Sequence, residues 1–193
     1  MRTVDVAALR YENAEVDIFE IFPERWEKKH DFSLYKNNPR PCSALFLICS
    51  DIEVSFFCEG LPTVTAKRGE TVFIPKNICY TARITKTTTA PALTYTVNLE
   101  LRTRKNEVLH LSENISVIAY RKDNLFEIHM KRLSDTVNRT TENERNLLKT
   151  KAELYTLLDL ICTSNSREED FYYPIRKGID TFLDEWKENE KIP

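Results

Sequence analysis

Partway along the chain the spacing of apolar residues changes from strand-like to helical, and that switch limits the folds open to it. Between Val16 and Ala119 the apolar residues come in short runs rich in Thr, Val, Ile, Tyr and Phe, cut by turn-forming residues. The runs are VDIFEIF (16–22, stopped by Pro23), SALFLIC (43–49), IEVSFFC (52–58), TVTA (63–66), TVFIP (71–75), ICYTARIT (78–85) and ALTYTVNLEL (92–101). Ser50-Asp51 reads as a hairpin link between the second and third runs, and Thr85–Thr89 as an exposed loop. Such spacing is that of a small sandwich or barrel.

Beyond Ala119, Leu125, Ile128, His129 and Leu133 share one face of a helix of about four turns. A second helix follows over 143–165, with Leu147, Leu154 and Ile161 seven residues apart and Leu158 on a neighbouring row. A stripe of this kind fits either a bundle helix within the chain or a seam between subunits. Dimerisation through Leu147, Leu154, Leu158 and Ile161 is the expectation. SNSREED (164–170) reads as a linker. An amphipathic helix then starts at Pro174 and carries Ile175, Ile179, Phe182, Leu183 and Trp186. The expected class is therefore α+β, a small β-barrel followed by helices.

Composition removes several function classes. With 193 residues, 41% of them hydrophobic, the chain can bury a real core. Its longest apolar runs fall far short of the ~20 residues a membrane helix needs. Asp5, Glu12 and Glu15 interrupt the N-terminus, which shows no apolar leader, so a cytoplasmic location away from membranes is expected. Three glycines, Gly60, Gly69 and Gly178, cannot form a dinucleotide fingerprint or a phosphate loop. Five cysteines without a Cys-x-x-Cys spacing read as free thiols. His30, His110 and His129 are isolated, and no pair of carboxylates or nucleophile elbow stands out. Neither catalytic residues nor a metal or other cofactor are expected.

One segment has more specificity: Gly69-Glu70-Thr71-Val72-Phe73-Ile74-Pro75-Lys76-Asn77-Ile78-Cys79-Tyr80. It reads as one hairpin of a barrel, with Pro75 at a strand end. It resembles the second motif of cupin barrels, in which glycine, five residues, proline and four residues precede a histidine. Tyr80 stands at the histidine position, and the stretch Asp51 to Glu59, where the first cupin motif would fall, has no histidine. The resemblance thus implies a cupin-like barrel whose metal site is gone.

Arg40-Pro41-Cys42-Ser43-Ala44-Leu45-Phe46, followed by GETVFIPKNICY, resembles the sensor domain of AraC-family transcriptional regulators. The two helices and the terminal stretch from Tyr173 are similar, in their order, to the helices after that sensor and to the first helix of the family's DNA-binding domain. The resemblance implies a cupin-like sensor barrel, or double-stranded β-helix, over 1–120 and a helical dimerisation segment over 121–163. A linker over 164–172 and the first helix of a helix-turn-helix domain over 173–193 follow, with the chain expected to stop inside that domain. The implied function is effector sensing and dimerisation in a DNA-binding transcription regulator. Its partners would be a small-molecule effector, a second copy, and DNA only through the missing C-terminal part. Arg40, Tyr80 and Tyr95 are the candidate ligand-binding residues. A metal-free cupin enzyme of the isomerase or epimerase type, and a ligand-free structural dimerisation module, are the alternatives.

The stretch 164–193 carries five basic residues against eight acidic ones, a poor match for phosphate. Titration of the chain with DNA duplexes at physiological salt is expected to show only weak, sequence-independent binding; sub-micromolar, sequence-dependent binding would contradict this reading.

Overall fold

The computed structural model describes residues 2–12, 14–26, 31–86, 92–138 and 147–165. Eleven strands precede two helices, in the expected α+β order. The strands are β1 (Arg2–Thr3), β2 (Ala14–Trp26), β3 (Asp31–Phe32), β4 (Ser43–Ile48), β5 (Glu53–Phe57), β6 (Val64–Lys67) and β7 (Glu70–Ile74). They continue with β8 (Thr81–Lys86), β9 (Ala92–Thr103), β10 (Val108–His110) and β11 (Ser116–Tyr120); α1 (Leu125–Asn138) and α2 (Leu147–Asn165) close the described part. A 3-10 turn at Ala7–Tyr11 separates β1 from β2.

Two sheets form. The larger runs β1-β10-β9-β4-β7-β11, with β2 paired along β9, and the smaller runs β3-β8-β5-β6. Among the described residues no strand pairing joins them, so they face each other as a sandwich rather than close into one hydrogen-bonded barrel. The large sheet is the middle layer. Ala44, Phe46, Ile48, Val72 and Ile74 on one of its faces meet Val54, Phe56, Ala66, Ala82 and Ile84 of the small sheet. Leu45, Leu47, Phe73, Val97 and Leu99 on the other face meet the helices. A strand buried on both sides has no reason to alternate polar and apolar residues, which is why SALFLIC is apolar throughout.

This layering corrects several expectations. The runs flanking Ser50-Asp51 are not a hairpin, because β4 belongs to the large sheet and β5 to the small one. Gly69 to Tyr80 is likewise a crossing, from β7 in one sheet to β8 in the other. Pro23 does not stop its strand: β2 continues to Trp26 with Pro23 opposite Tyr95. Among the described residues β2 pairs only with β9, so the proline's missing N–H has a free edge to face. Strand β8 extends through Lys86, and the rest of the expected threonine loop lies outside the described residues. So do the start of the second helix, most of the linker, and the terminal helix over 173–193.

Gly69 sits at φ +81°, and a Cβ there would overlap the Arg121 carbonyl oxygen. The close approach matters because Arg121 N–H donates to the Gly69 carbonyl at 3.0 Å, fixing the chain just before α1 to the β6–β7 turn. Asp123 then accepts from Leu125 N–H at 3.3 Å and opens the helix.

The helices cover the large sheet. The buried row of α1 is Phe126, Met130 and Leu133, while Ile128, placed on the inner face by the sequence pattern, is 42% exposed. In α2, Leu154, Leu157, Leu158, Ile161 and Cys162 recur at helical spacing and all join the core under the sheet. His129 of α1 and Glu153 of α2 meet at 3.0 Å beside that contact. The expected dimer seam is thereby used inside the chain: Leu154, Leu158 and Ile161 are buried against its own sheet and helix, and Leu147 is the first residue of α2. Leu154, Leu158 and Ile161 therefore have little surface left for a second copy. The neighbouring Leu148 is 84% exposed.

Leu154→Ala is expected to destabilise the monomer by about 2–5 kcal/mol, with Leu148→Ala within about 0.5 kcal/mol of the parent, as read by urea denaturation. Dissociation of a dimer by Leu154→Ala, without loss of monomer stability, would restore the intersubunit reading.

Candidate functional site

The crossing between β7 and β8 builds the site. Lys76 N–H donates to the Ser43 hydroxyl at 3.2 Å, and Asn77 takes the left-handed conformation at φ 66°, which asparagine tolerates better than most residues. Asn77 N–H donates to the Arg40 carbonyl at 2.8 Å, and Arg40 N–H donates to the Ile78 carbonyl at 3.0 Å. Two residues on, Tyr80 N–H donates to the Tyr35 carbonyl at 3.0 Å. Backbone bonds alone therefore bring Tyr35, Arg40 and Tyr80 to one place between the sheets.

Their side chains meet there. Arg40 Nη1 donates to the Tyr80 hydroxyl at 2.9 Å, and Nη2 donates to Asn98 Oδ1 of β9. The guanidinium carbon lies 4.9 Å from the Tyr35 ring centre, within cation–π range. Asn98 Nδ2 in turn donates to Glu20 of β2 at 3.3 Å. Arg40 is only 3% exposed, and its Nε has no hydrogen-bond partner. Among the described residues it forms no ion pair. A buried cation hydrogen-bonded only to neutral groups, with the Glu24 charge in the same cavity but not in contact, keeps part of its desolvation penalty, several kcal/mol per ion in order of magnitude. The penalty makes it a strong attractor for any anion that can reach it.

The rings continue outward from Arg40. Tyr35 and Tyr80 stack at 5.6 Å, Phe32 and Tyr35 lie 5.7 Å apart, and Phe56 lies 6.2 Å from Tyr80. They border a cavity of about 220 Å³ whose other wall is Phe22, Glu24, Trp26 and Thr96 from β2 and β9. Trp26 Nε1 donates to the Thr94 hydroxyl at 2.9 Å. Burial holds the Glu24 carboxyl above its usual range. Burial also pushes the Tyr80 phenol up to about 12, so at neutral pH it stays protonated beside Arg40.

Of the three candidate ligand residues, the structure brings Arg40 and Tyr80 together and leaves Tyr95 out. Tyr95 points from β9 to the opposite face, into the core shared with the helices. Sequence reasoning missed Asn98, Tyr35 and Glu24. A signal for Asn98 was present: Thr94, Thr96, Asn98 and Glu100 occupy alternate positions of β9, with apolar Val97, Leu99 and Leu101 between them. Tyr95 falls in the second set.

A larger hollow of about 410 Å³ lies at the start of α1. Its charged rim is exposed, and Arg121 is already spent on Asp123 through paired contacts. Among the described residues no group of three His, Cys, Asp or Glu side chains is placed to hold a metal ion. No described helix is long and apolar enough to cross a membrane.

No protein-family model matches the chain, and no curated protein matches it. Solved structures resemble it in outline. The AraC-like transcriptional activator CuxR aligns over 79% of this chain and 55% of its own, with TM-score 0.45 and 12% identity. ToxT from Vibrio cholerae O395, bound to (E)-4-(8-methylnaphthalen-1-yl)but-3-enoic acid, aligns over 80% and 59%, with TM-score 0.39 and 10% identity. A cupin-2 domain containing protein from Shewanella frigidimarina covers 45% of this chain and 70% of its own, with TM-score 0.25 and 10% identity. The chain thus spans little more than half the length of the two regulators. At these scores the functional reading rests on the chain's own residues.

Tyr80, like the buried Cys49 thiol, makes the fold sensitive to alkaline pH. Its folded pKa lies above the ordinary 10.0, so its contribution is complete below pH 10 and is lost as pH rises towards 12. Denaturation midpoints are expected to fall over that window, and Tyr80→Phe is expected to flatten the decline relative to the parent.

Proposed function

We propose that this chain is the effector-binding region of an AraC-type transcription regulator, and that the cavity between the sheets takes the effector. One observation carries the reading: a buried arginine without an ion-pair partner among the described residues, set at the edge of an apolar cavity ringed by aromatic side chains. Ligand sites commonly combine apolar walls with a few convergent polar groups, and Arg40, Tyr80 and Glu24 are those groups here. The order of segments in the sequence supplies the word regulator; a cupin-like fold by itself hosts many functions.

Binding, not turnover, is the role the groups suit. Tyr80 holds its proton at neutral pH, and it and Arg40 serve to hold and orient a ligand. Occupancy would bias the packing of the sheets against α1 and α2, and so the segment that follows them. DNA contacts belong, in this reading, only to a helix-turn-helix domain of which 173–193 would be the first helix, not to these residues themselves. Pairing of two copies belongs to the same reading, on a surface other than the buried row of α2.

A thermal-shift panel of the twenty amino acids, benzoate, hydrocinnamate and glucose, run on the full chain, tests the proposal. At least one compound is expected to raise the melting temperature in a concentration-dependent way, with the shift lost in Arg40→Met and reduced in Tyr80→Phe. A panel without a shift, or a shift unchanged in both variants, would overturn it.

A further inference from the structure

The cavity carries one charge of each sign, and the two are not spent on each other. Arg40 bonds to Tyr80 and Asn98, while the Glu24 carboxylate is met by the hydroxyls of Thr94, at a long 3.5 Å, and of Thr96, and feels Arg40 only through its charge. Among the described residues neither has an ion-pair partner. The register of β2 on β9 sets Glu24 opposite Thr94 and Phe22 opposite Thr96, so these residues share the face that lines the cavity. Arg40 approaches from the side of the β7–β8 crossing. The rings of Phe32, Tyr35, Phe56 and Tyr80 line the same cavity beside the two charges.

We propose that the effector is a zwitterion of amino-acid size, its carboxylate on Arg40, its ammonium on Glu24 and an apolar or aromatic body against the rings. This inference rests on the effector-binding reading of the same cavity and adds the ligand class. Charge balance favours it. A simple carboxylate would satisfy Arg40 but bring a second negative charge towards Glu24, leaving the enclosed site net negative. A simple amine would do the reverse beside Arg40. A zwitterion satisfies both groups and leaves no net charge behind in a region of low dielectric.

Size points the same way. About 220 Å³ is less than the ~300–1,000 Å³ of clefts that take drug-sized ligands, and suits a molecule of about a dozen heavy atoms. The Glu24 carboxyl stays above its usual range because burial outweighs the Thr94 and Thr96 hydroxyls and the charge of Arg40, so a cation in direct contact has something to offset. The Arg40 Nε, buried and without an acceptor, is its counterpart on the other side.

Three compounds of matched shape test the inference by calorimetric titration of the full chain: phenylalanine, hydrocinnamate without the amine, and 2-phenylethylamine without the carboxylate. Phenylalanine is expected to bind at least about ten-fold more tightly than either truncated compound. Glu24→Gln, nearly isosteric and at a partly exposed position, is expected to erase the advantage over hydrocinnamate while keeping its binding. Equal or tighter binding of hydrocinnamate or of 2-phenylethylamine overturns the zwitterion and leaves effector binding standing. Retention of the phenylalanine advantage in Glu24→Gln also overturns it. If none of the three binds and the wider panel also gives no shift, both the ligand class and the effector-binding reading fall.

Discussion

Strand β9 holds two interiors apart, and the rest of the molecule is arranged around that division. It is flanked by β2 along its whole length and by β4 on its other side, so both its edges and both its faces are occupied. Tyr95, Val97, Leu99 and Leu101 look towards the helices, and Thr94, Thr96, Asn98 and Glu100 look the other way. Because side chains alternate strictly along a strand, a slip of one residue would put the polar set under the helices and the apolar set against the cavity. The long pairing with β2, Ala14 opposite Thr103 to Trp26 opposite Ala92, guards against that slip despite a bulge between Ile18 and Glu20.

The polar face of β9 is where stability gives way to function. Apolar packing between the sheets would be satisfied by an aliphatic residue at position 40. Instead a guanidinium occupies it, bonded to Asn98 and Tyr80 and stacked beside Tyr35. Replacing a buried ionic group by a well-packed apolar one is often neutral or stabilising, so stability does not require a charge there. The crossing from β7 to β8 fixes the Arg40 backbone through two hydrogen bonds, which keeps the group in place whether or not the cavity is filled. A cavity held open by backbone geometry asks little reorganisation of itself when a ligand enters.

Much of this was legible in the sequence, and the misses share a cause. The switch from strand to helix spacing and the positions of most strands were readable from local pattern, while Arg40 and Tyr80 were singled out by the motif resemblance and lie together in the structure. Pairing was not. SALFLIC and IEVSFFC sit side by side in the chain and look like a hairpin, yet they belong to different sheets, because double-sided burial erases the alternation that would say which face is which. The stripe Leu154, Leu158 and Ile161 is equally apolar whether it faces another subunit or its own sheet, and periodicity cannot separate the two. Tyr95 is a different case. Its parity with Val97 and Leu99, against Thr96 and Asn98, was visible and placed it on the helix side.

The central claim is that the space between the sheets beside Arg40 is a ligand site. An anomalous difference map from crystals of the full chain grown with 4-bromophenylalanine tests it most directly, since bromine marks its own position. The account predicts a bromine peak among Phe32, Phe56 and Tyr80, with the ligand carboxylate against Arg40. A peak confined to the hollow at the start of α1, or none with the rings closed onto one another, would contradict it.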